Sequence, residues 1–166
     1  MNAITEALMK AMEAYFDGDT KRINHAHRVT AYAEELVKRE GGDYPIIIGA
    51  SILHDIGIHQ AEKKYGSTSG KYQEKEGPPI ARRILAQLGF EKNQIEEICQ
   101  IIAHHHSPGR INTRNFKVLY DADWLVNLRD EYHIQDRHKL ASIIDRVFLT
   151  QSGKVIARGI YLESRR

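Results

Sequence analysis

Hydrophobic residues recur at intervals of three and four along almost the whole chain, the spacing of helices with one buried face. No internal repeat and no low-complexity tract interrupts this pattern. It predicts an all-α fold, and a length of 166 residues suits one helical bundle domain that covers residues 1–166. The residues with chemical potential lie between about 19 and 130, and the tail at 150–166 gives no strong signal.

Helix-capping residues predict where the first elements begin and end. The N-terminal segment has helical spacing broken by charged residues, which predicts a surface helix and no secretory signal. An aspartate cap and a glycine pair limit the next helix to residues 19–40. A second capped helix, with a proline in its first turn and apolar residues nearly all round, is expected to be central and to end at Gly57.

The second half of the chain predicts a long loop followed by four helices. Residues 59–75 are polar and contain several glycines and serines, which is typical of a binding loop or lid. Pro78 and Pro79 are expected to open a helix that runs to Leu88. The remaining helices are predicted at about 93–106, 113–130 and 136–149.

Charge and cysteine content limit the compartment and the partners. Lys and Arg total 24 against 22 Asp and Glu, and no block of like charges marks a site for a nucleic acid polymer or a membrane surface. Cys99 is the only cysteine and cannot form an intrachain disulfide, so a cytoplasmic protein is expected. The longest apolar runs are far shorter than the ~20 residues of a membrane span. A homo-oligomer is left open.

Nine histidines are an unusual supply of metal ligands, and helical geometry separates those that face the core. Each helical residue turns about 100° around the axis, so positions i+3 and i+4 share a face while i+2 does not. His25 precedes the apolar Val29 by four residues and is expected to point inward. His27 precedes Val29 by two and is expected to be solvated.

Aspartates can be sorted by the same test. The apolar residues of the helix at 113–130 place Asp123 on its inner face and Asp121 on the other side. Burial of a carboxylate without a partner is energetically costly, so we expect a cation next to Asp123. A metal ion is the simplest candidate, and a buried ion pair with Arg28 or Arg82 is the alternative.

Other helices carry polar residues where apolar ones are expected. His54 and Asp55 end a hydrophobic helix just before a glycine, although a helix-terminal histidine with a capping partner is an alternative. In the helix ending at His106, both His105 and His106 flank the apolar stripe, whereas His104 falls opposite. Four helices thus carry inward ligand-type residues, which a bundle can direct to one interior point.

These residues resemble the motif order of the HD superfamily of metal-dependent phosphohydrolases: a histidine, a His-Asp pair and a distal aspartate. HAHRVTAYAEEL is similar to the family's first helix, ILHDIG to its diagnostic motif and DADWLVNLRD to its distal segment. The resemblance spans about residues 20–130. It implies catalysis centred on His54 and Asp55 and a metal held by His25, His54, Asp55 and Asp123.

Members of this superfamily with two metals have further histidines between the second and third motifs. HHHSPG resembles the later of these positions, which implies His105 and His106 as ligands of a second ion. At the earlier position, KEGPPIARRIL is similar to segments that begin with histidine, but Glu76 stands there instead. Glu76 is either a third ligand or a carboxylate favoured at a helix N-terminus. One or two ions are expected.

The resemblance implies a hydrolase that cleaves a phosphate ester or anhydride of a nucleotide-like small molecule. Mixed imidazole and carboxylate ligands favour Fe, Mn or Zn, with Ni as a substitute. Such an ion lowers the pKa of bound water from ~15.7 toward ~7. Arg110, Lys64 and Arg28 are candidate phosphate contacts. Trp124 is expected to pack in the core and not to stack on a base.

Two other functions are compatible with the same residues. Some proteins with this fold are di-iron oxygenases, which need both metal sites occupied, so metal binding by Glu76 is the discriminating observation. The second alternative is a non-catalytic regulatory module that binds a nucleotide. Nucleotide affinity without turnover would indicate it. The sequence does not select one substrate within the superfamily.

Overall fold

The computed structural model describes residues 2–163, and this part of the chain forms nine α-helices and a final π-helical turn, with no strand. The all-α prediction is confirmed. The elements are α1 Ala3–Phe16, α2 Thr20–Glu40, α3 Tyr44–Leu53, α4 Ile58–Tyr65, α5 Gly70–Gln87, α6 Lys92–Ala103, α7 Arg114–Asp130, α8 Arg137–Val147, α9 Gln151–Arg158 and the π turn Gly159–Glu163.

Side-chain caps fix the start of most of these helices, as the sequence predicts. The carboxylate of Asp19 accepts a hydrogen bond from the backbone N–H of Arg22, and Asp43 caps α3 in the same way. At the other end of α2, Gly41 has a φ of 77°, a conformation that glycine adopts without strain.

Helix α3 is the centre of the core. Every residue from Ile46 to Leu53 is buried, and α3 packs against α1, α2, α6 and α7. Burial of each large aliphatic side chain contributes roughly 1.5–3 kcal/mol, which explains why so hydrophobic a segment lies inside. The turn after α3 is therefore held rigidly in the middle of the molecule.

The prediction of a loop at 59–75 is wrong, because α4 and the first turns of α5 occupy most of these residues. Pro78 and Pro79 lie inside α5 and do not open it. Each proline removes one helical hydrogen bond, but α5 buries a continuous face against α4 and α6 that outweighs this loss. A Cβ on Gly57 would lie 2.5 Å from the backbone nitrogen of Gly77, so two glycines permit this close packing.

The tail that gave no sequence signal is helical as far as residue 163. Thr150 caps α9, and α9 packs against α2, α7 and α8. The hydroxyl of Ser152 donates to Glu40 at the end of α2, 112 residues earlier. None of the helices between residues 2 and 163 is long and apolar enough to cross a membrane.

Candidate metal centre

Four donor atoms from three separate segments converge beside α3. They are Nε2 of His25 on α2, Nε2 of His54 and Oδ2 of Asp55 in the turn after α3, and Oδ1 of Asp123 on α7. Five distances between these atoms fall between 3.1 and 3.4 Å. Ligands held about 2.0–2.1 Å from a tetrahedral ion lie about 3.3 Å apart. The group therefore has the dimensions of a coordination sphere.

The backbone orients His54 for coordination. Its Nδ1 lies 2.8 Å from the carbonyl oxygen of Ser51, and this hydrogen bond assigns the ring proton to Nδ1. In the neutral ring the Nε2 lone pair then points at the oxygens of Asp55 and Asp123. Lone pairs that face one another across 3.2–3.4 Å need a cation between them.

The electrostatics of the group also favour a positive charge. Burial alone would lower the pKa of His54, but the carboxylates of Asp55 and Asp123 outweigh burial and raise it to about 10. Burial acts to raise the pKa values of both carboxyl groups, yet the nearby His54 charge holds both well below the usual range. The pocket thus stabilises a cation at its centre.

A second group of ligand atoms shares Asp55. Its other oxygen, Oδ1, lies 3.4 Å from Nε2 of His105, and His106 completes a set that can hold an ion. The Nδ1 of His105 is hydrogen-bonded to the carbonyl of Ile102 at 2.7 Å, which leaves the Nε2 lone pair directed at the site. This buried Nε2 has no hydrogen-bond partner within the described residues, as expected for a ligand atom.

Helix α5 contributes Gln73 to this second group, a residue that the sequence analysis missed. Its Nε2 donates to the carbonyl of Thr68 at 2.6 Å, so its Oε1 faces Nε2 of His106 at 2.9 Å. Gln73 lies four residues before the buried Gly77 and shares its face. That phase was available from the sequence, but the segment had been assigned to a loop.

Glu76 does not join either ligand group. It accepts a hydrogen bond from the hydroxyl of Tyr65 at 2.8 Å and pairs with Lys64 at 3.6 Å. Its side chain is directed to these two residues of α4, and it is not among the atoms that could hold an ion. Its predicted role as a metal ligand is therefore corrected, because α5 begins at Gly70, about two turns before the expected start at Pro78, and Glu76 lies inside the helix.

His27, His104 and Asp121 lie outside the ligand groups, as the helical phase predicted. His27 pairs with Glu13 at 2.7 Å, and the Nδ1 of His104 is bonded to a carbonyl of its own helix at 2.9 Å. Asp121 is fully buried on the opposite side of α7, where it accepts hydrogen bonds from Leu149 and Thr150 at the start of α9.

The ligand groups form the floor of a cleft of about 810 Å³. Among the predicted phosphate contacts, Arg28 lines this cleft, but it also pairs with Asp130 at 2.7 Å. Lys64 and Arg110 are not part of the lining. Lys64 lies in α4 and pairs with Glu76. The other cationic residues that line the cleft are Lys21 and Arg22.

Trp124 packs against the core, as expected, but it is only half-buried and also lines the cleft directly beside Asp123. It stacks on Tyr132, with ring centroids 5.4 Å apart and planes inclined by 16°. This pairing could not be predicted from helical periodicity, because Tyr132 follows the end of α7.

Comparisons with known proteins agree with this geometry. The family model described as HD domain matches residues 22–147. A crystal structure of a predicted HD superfamily hydrolase from an uncultured Thermotogales bacterium is similar to the chain, with 27% sequence identity and a TM-score of 0.65 over 95% of this chain and 83% of that one. No curated protein matches the sequence.

Proposed function

The chain belongs to the HD domain family, and from this membership we propose that it is a metal-dependent phosphohydrolase acting on a nucleotide-like small molecule. The similarity to an HD superfamily hydrolase supports the hydrolase class. The observation that carries the proposal is the convergence of two imidazole nitrogens and two carboxylate oxygens within 3.1–3.4 Å on the floor of an open cleft.

The residues present fit a divalent cation. His25, His54, Asp55 and Asp123 would hold it, and Asp55, His105 and His106 would hold a second one. Imidazole with carboxylate suits Fe, Mn or Zn. When bound, such a cation supplies Lewis-acid chemistry: it makes water more acidic and neutralises charge on phosphoryl oxygens.

The protein's own groups position the substrate and handle the proton. Lys21, Arg22 and Arg28 attract the phosphate to the cleft floor. If one ion is bound, the unpartnered Nε2 of His105, 3.4 Å from Asp55, is the acceptor available for a proton from the attacking water. Asp55 connects the two parts of the site because each of its oxygens faces a different histidine.

Elemental analysis of the purified protein, followed by a hydrolysis screen, tests the proposal. The screen includes phosphomonoesters, nucleoside mono- and triphosphates, and dinucleoside polyphosphates. We expect one or two transition-metal ions per chain and release of phosphate or a nucleotide. A metal-loaded protein with nucleotide affinity but no turnover on any of these substrates would favour the non-catalytic module. Glu76 pairs with Lys64 and stands outside both ligand groups, so it does not favour the di-iron oxygenase; iron in both sites and oxygen-dependent turnover would favour it.

A further inference from the structure

We propose that the stacked pair Trp124–Tyr132 is the recognition surface for the heteroaromatic ring of a nucleoside phosphate. The inference rests on the proposed function in one respect, namely that the phosphate binds at the metal ligands. It goes further by assigning the base to a named surface of the cleft. It names residues that distinguish a nucleotide from a sugar phosphate.

The position of the pair along α7 is the first argument. Trp124 directly follows the ligand Asp123, and Asn127 lies one turn further, about 6 Å along the helix. Trp124, Asn127 and Tyr132 all line the same cleft as the ligand groups. A molecule with its phosphate at Asp123 therefore meets this surface within the length of a nucleoside.

The exposure of Tyr132 is the second argument. Its side chain is 46% exposed, although a large aromatic ring gains by leaving water. Five large hydrophobic residues within residues 2–163 are 37–53% exposed, and Tyr132 is the one among them that lines the cleft. The stack with Trp124 covers one ring face, and nearly half of Tyr132 stays exposed. Stacking of a base on such a face is worth ~1–3 kcal/mol.

Cationic side chains lie on the same side of the ligand groups as the aromatic pair. α2 and α7 are antiparallel, because Asp43 after the end of α2 is hydrogen-bonded to Asn115 at the start of α7, whereas His25 meets Asp123. Lys21, one turn before His25, therefore lies toward the end of α7, which Tyr132 follows.

Lys21 and Arg22 have no carboxylate within 4.0 Å in the part of the chain that the structure describes, so they are available to an anion. Asp130 and Glu131 line the same cleft. Their carboxylates can accept hydrogen bonds from the amino groups of a base. The cleft thus offers cations to a phosphate and hydrogen-bond acceptors to a base beside the aromatic pair.

Trp124 is the only tryptophan of the chain, so its fluorescence reports on this surface alone. The zinc-loaded full-length protein would be titrated with a non-hydrolysable phosphonate analogue of adenosine 5′-monophosphate, and in parallel with the corresponding ribose phosphonate without a base. We expect saturable quenching of Trp124 by the nucleoside compound and little change with the sugar compound.

Variants of Tyr132 separate stacking from other effects. Tyr132→Ala should weaken binding of the nucleoside phosphonate roughly tenfold and leave the affinity for the ribose phosphonate, measured by calorimetry, unchanged. Tyr132→Phe should retain binding. Tyr72→Ala is the matched control, because Tyr72 stacks on Tyr65 at 4.1 Å outside the cleft lining.

Equal affinities of the wild type for the two phosphonates, or no effect of Tyr132→Ala, would overturn the inference. These outcomes are distinct from a failure of the proposed function. Quenching and tenfold discrimination in a protein that hydrolyses nothing would contradict the hydrolase but support the base site. Hydrolysis without discrimination between nucleotide and sugar phosphate would support the hydrolase but contradict the base site.

Discussion

Nε2 of His25 lies 3.1 Å from Oδ1 of Asp123, a residue 98 positions further along the chain. The contact joins α2 to α7, two helices that pack along much of their length. A cation shared by these two side chains ties the helices together, so metal binding and folding stability are linked.

Replacement of Asp55 should remove metal and activity together. Asp55→Ala deletes both oxygens that face His25 and His105. We expect metal content to fall at least tenfold and hydrolysis to be lost, with helical circular dichroism unchanged. His27→Ala and His104→Ala are matched controls outside the ligand groups and should keep wild-type metal content. Wild-type metal in purified Asp55→Ala would contradict the assignment of the site.

Chelation should lower the melting temperature reversibly. Without a metal ion, only protonated imidazole compensates the charge of the two aspartates that lie 3.2–3.4 Å from His54. Added metal at 100 times its Kd stabilises by ~2.7 kcal/mol. This corresponds to a rise of roughly 5–10 °C for a chain of this size. In a thermal scan, added metal should not raise the melting temperature of the Asp55→Ala variant. A rise equal to that of the wild type would show that the metal binds elsewhere.

The metal-free protein should lose stability as pH rises above 6.5. The pKa of His54 is raised from 6.5 to about 10 by Asp55 and Asp123 against the effect of burial. A raised pKa in the folded state stabilises the fold fully below pH 6.5, and this contribution disappears as pH approaches 10.

Because the cation replaces the proton, metal affinity should increase over the same interval. Urea denaturation of the chelated protein at pH 6 and pH 9 measures the first effect, and calorimetry with metal measures the second. His54→Gln is the control, and its free energy of unfolding should fall less between pH 6 and pH 9 than that of the wild type. Metal affinity that does not change with pH would show that no proton is displaced.

Asp121 should be important for stability and not for metal binding. Its carboxylate accepts hydrogen bonds from the backbone N–H groups of Leu149 and Thr150, both at 2.8 Å, and so anchors the start of α9. Asp121→Ala leaves these donors unpaired, and we expect a loss of about 3 kcal/mol in the free energy of unfolding. Metal content should stay at the wild-type level. A stable variant that lacks metal would instead indicate that Asp121 supports the site.

Local rules in the sequence were sufficient for the features that depend on one helix at a time. Capping by Asp19 and Asp43 is a contact between neighbours in the chain, so the limits of α2 and the start of α3 were predictable. The same holds for helical phase. It directed His25 and Asp123 inward, and the structure brings both to the same group of ligand atoms.

Features that depend on contacts between distant segments were not predictable in this way. Pro78 and Pro79 have a local preference for a helix start, but the packing of α5 on α4 and α6 overrides it. Once α5 begins at Gly70, Gln73 faces the second ligand group and Glu76 does not. The earlier start of α5 thus places Gln73, and not Glu76, beside His106 of the second ligand group.

The sequence alone therefore determined the helical class, the capped ends and the residues with inward phase, because these follow from contacts a few residues apart. The tertiary structure decided that four of those residues meet at 3.1–3.4 Å, that Asp55 is shared between two groups, and that Lys21 and Tyr132 line one cleft. These outcomes depend on how α2, α3, α5 and α7 pack, and periodicity along a single helix carries no information about that packing.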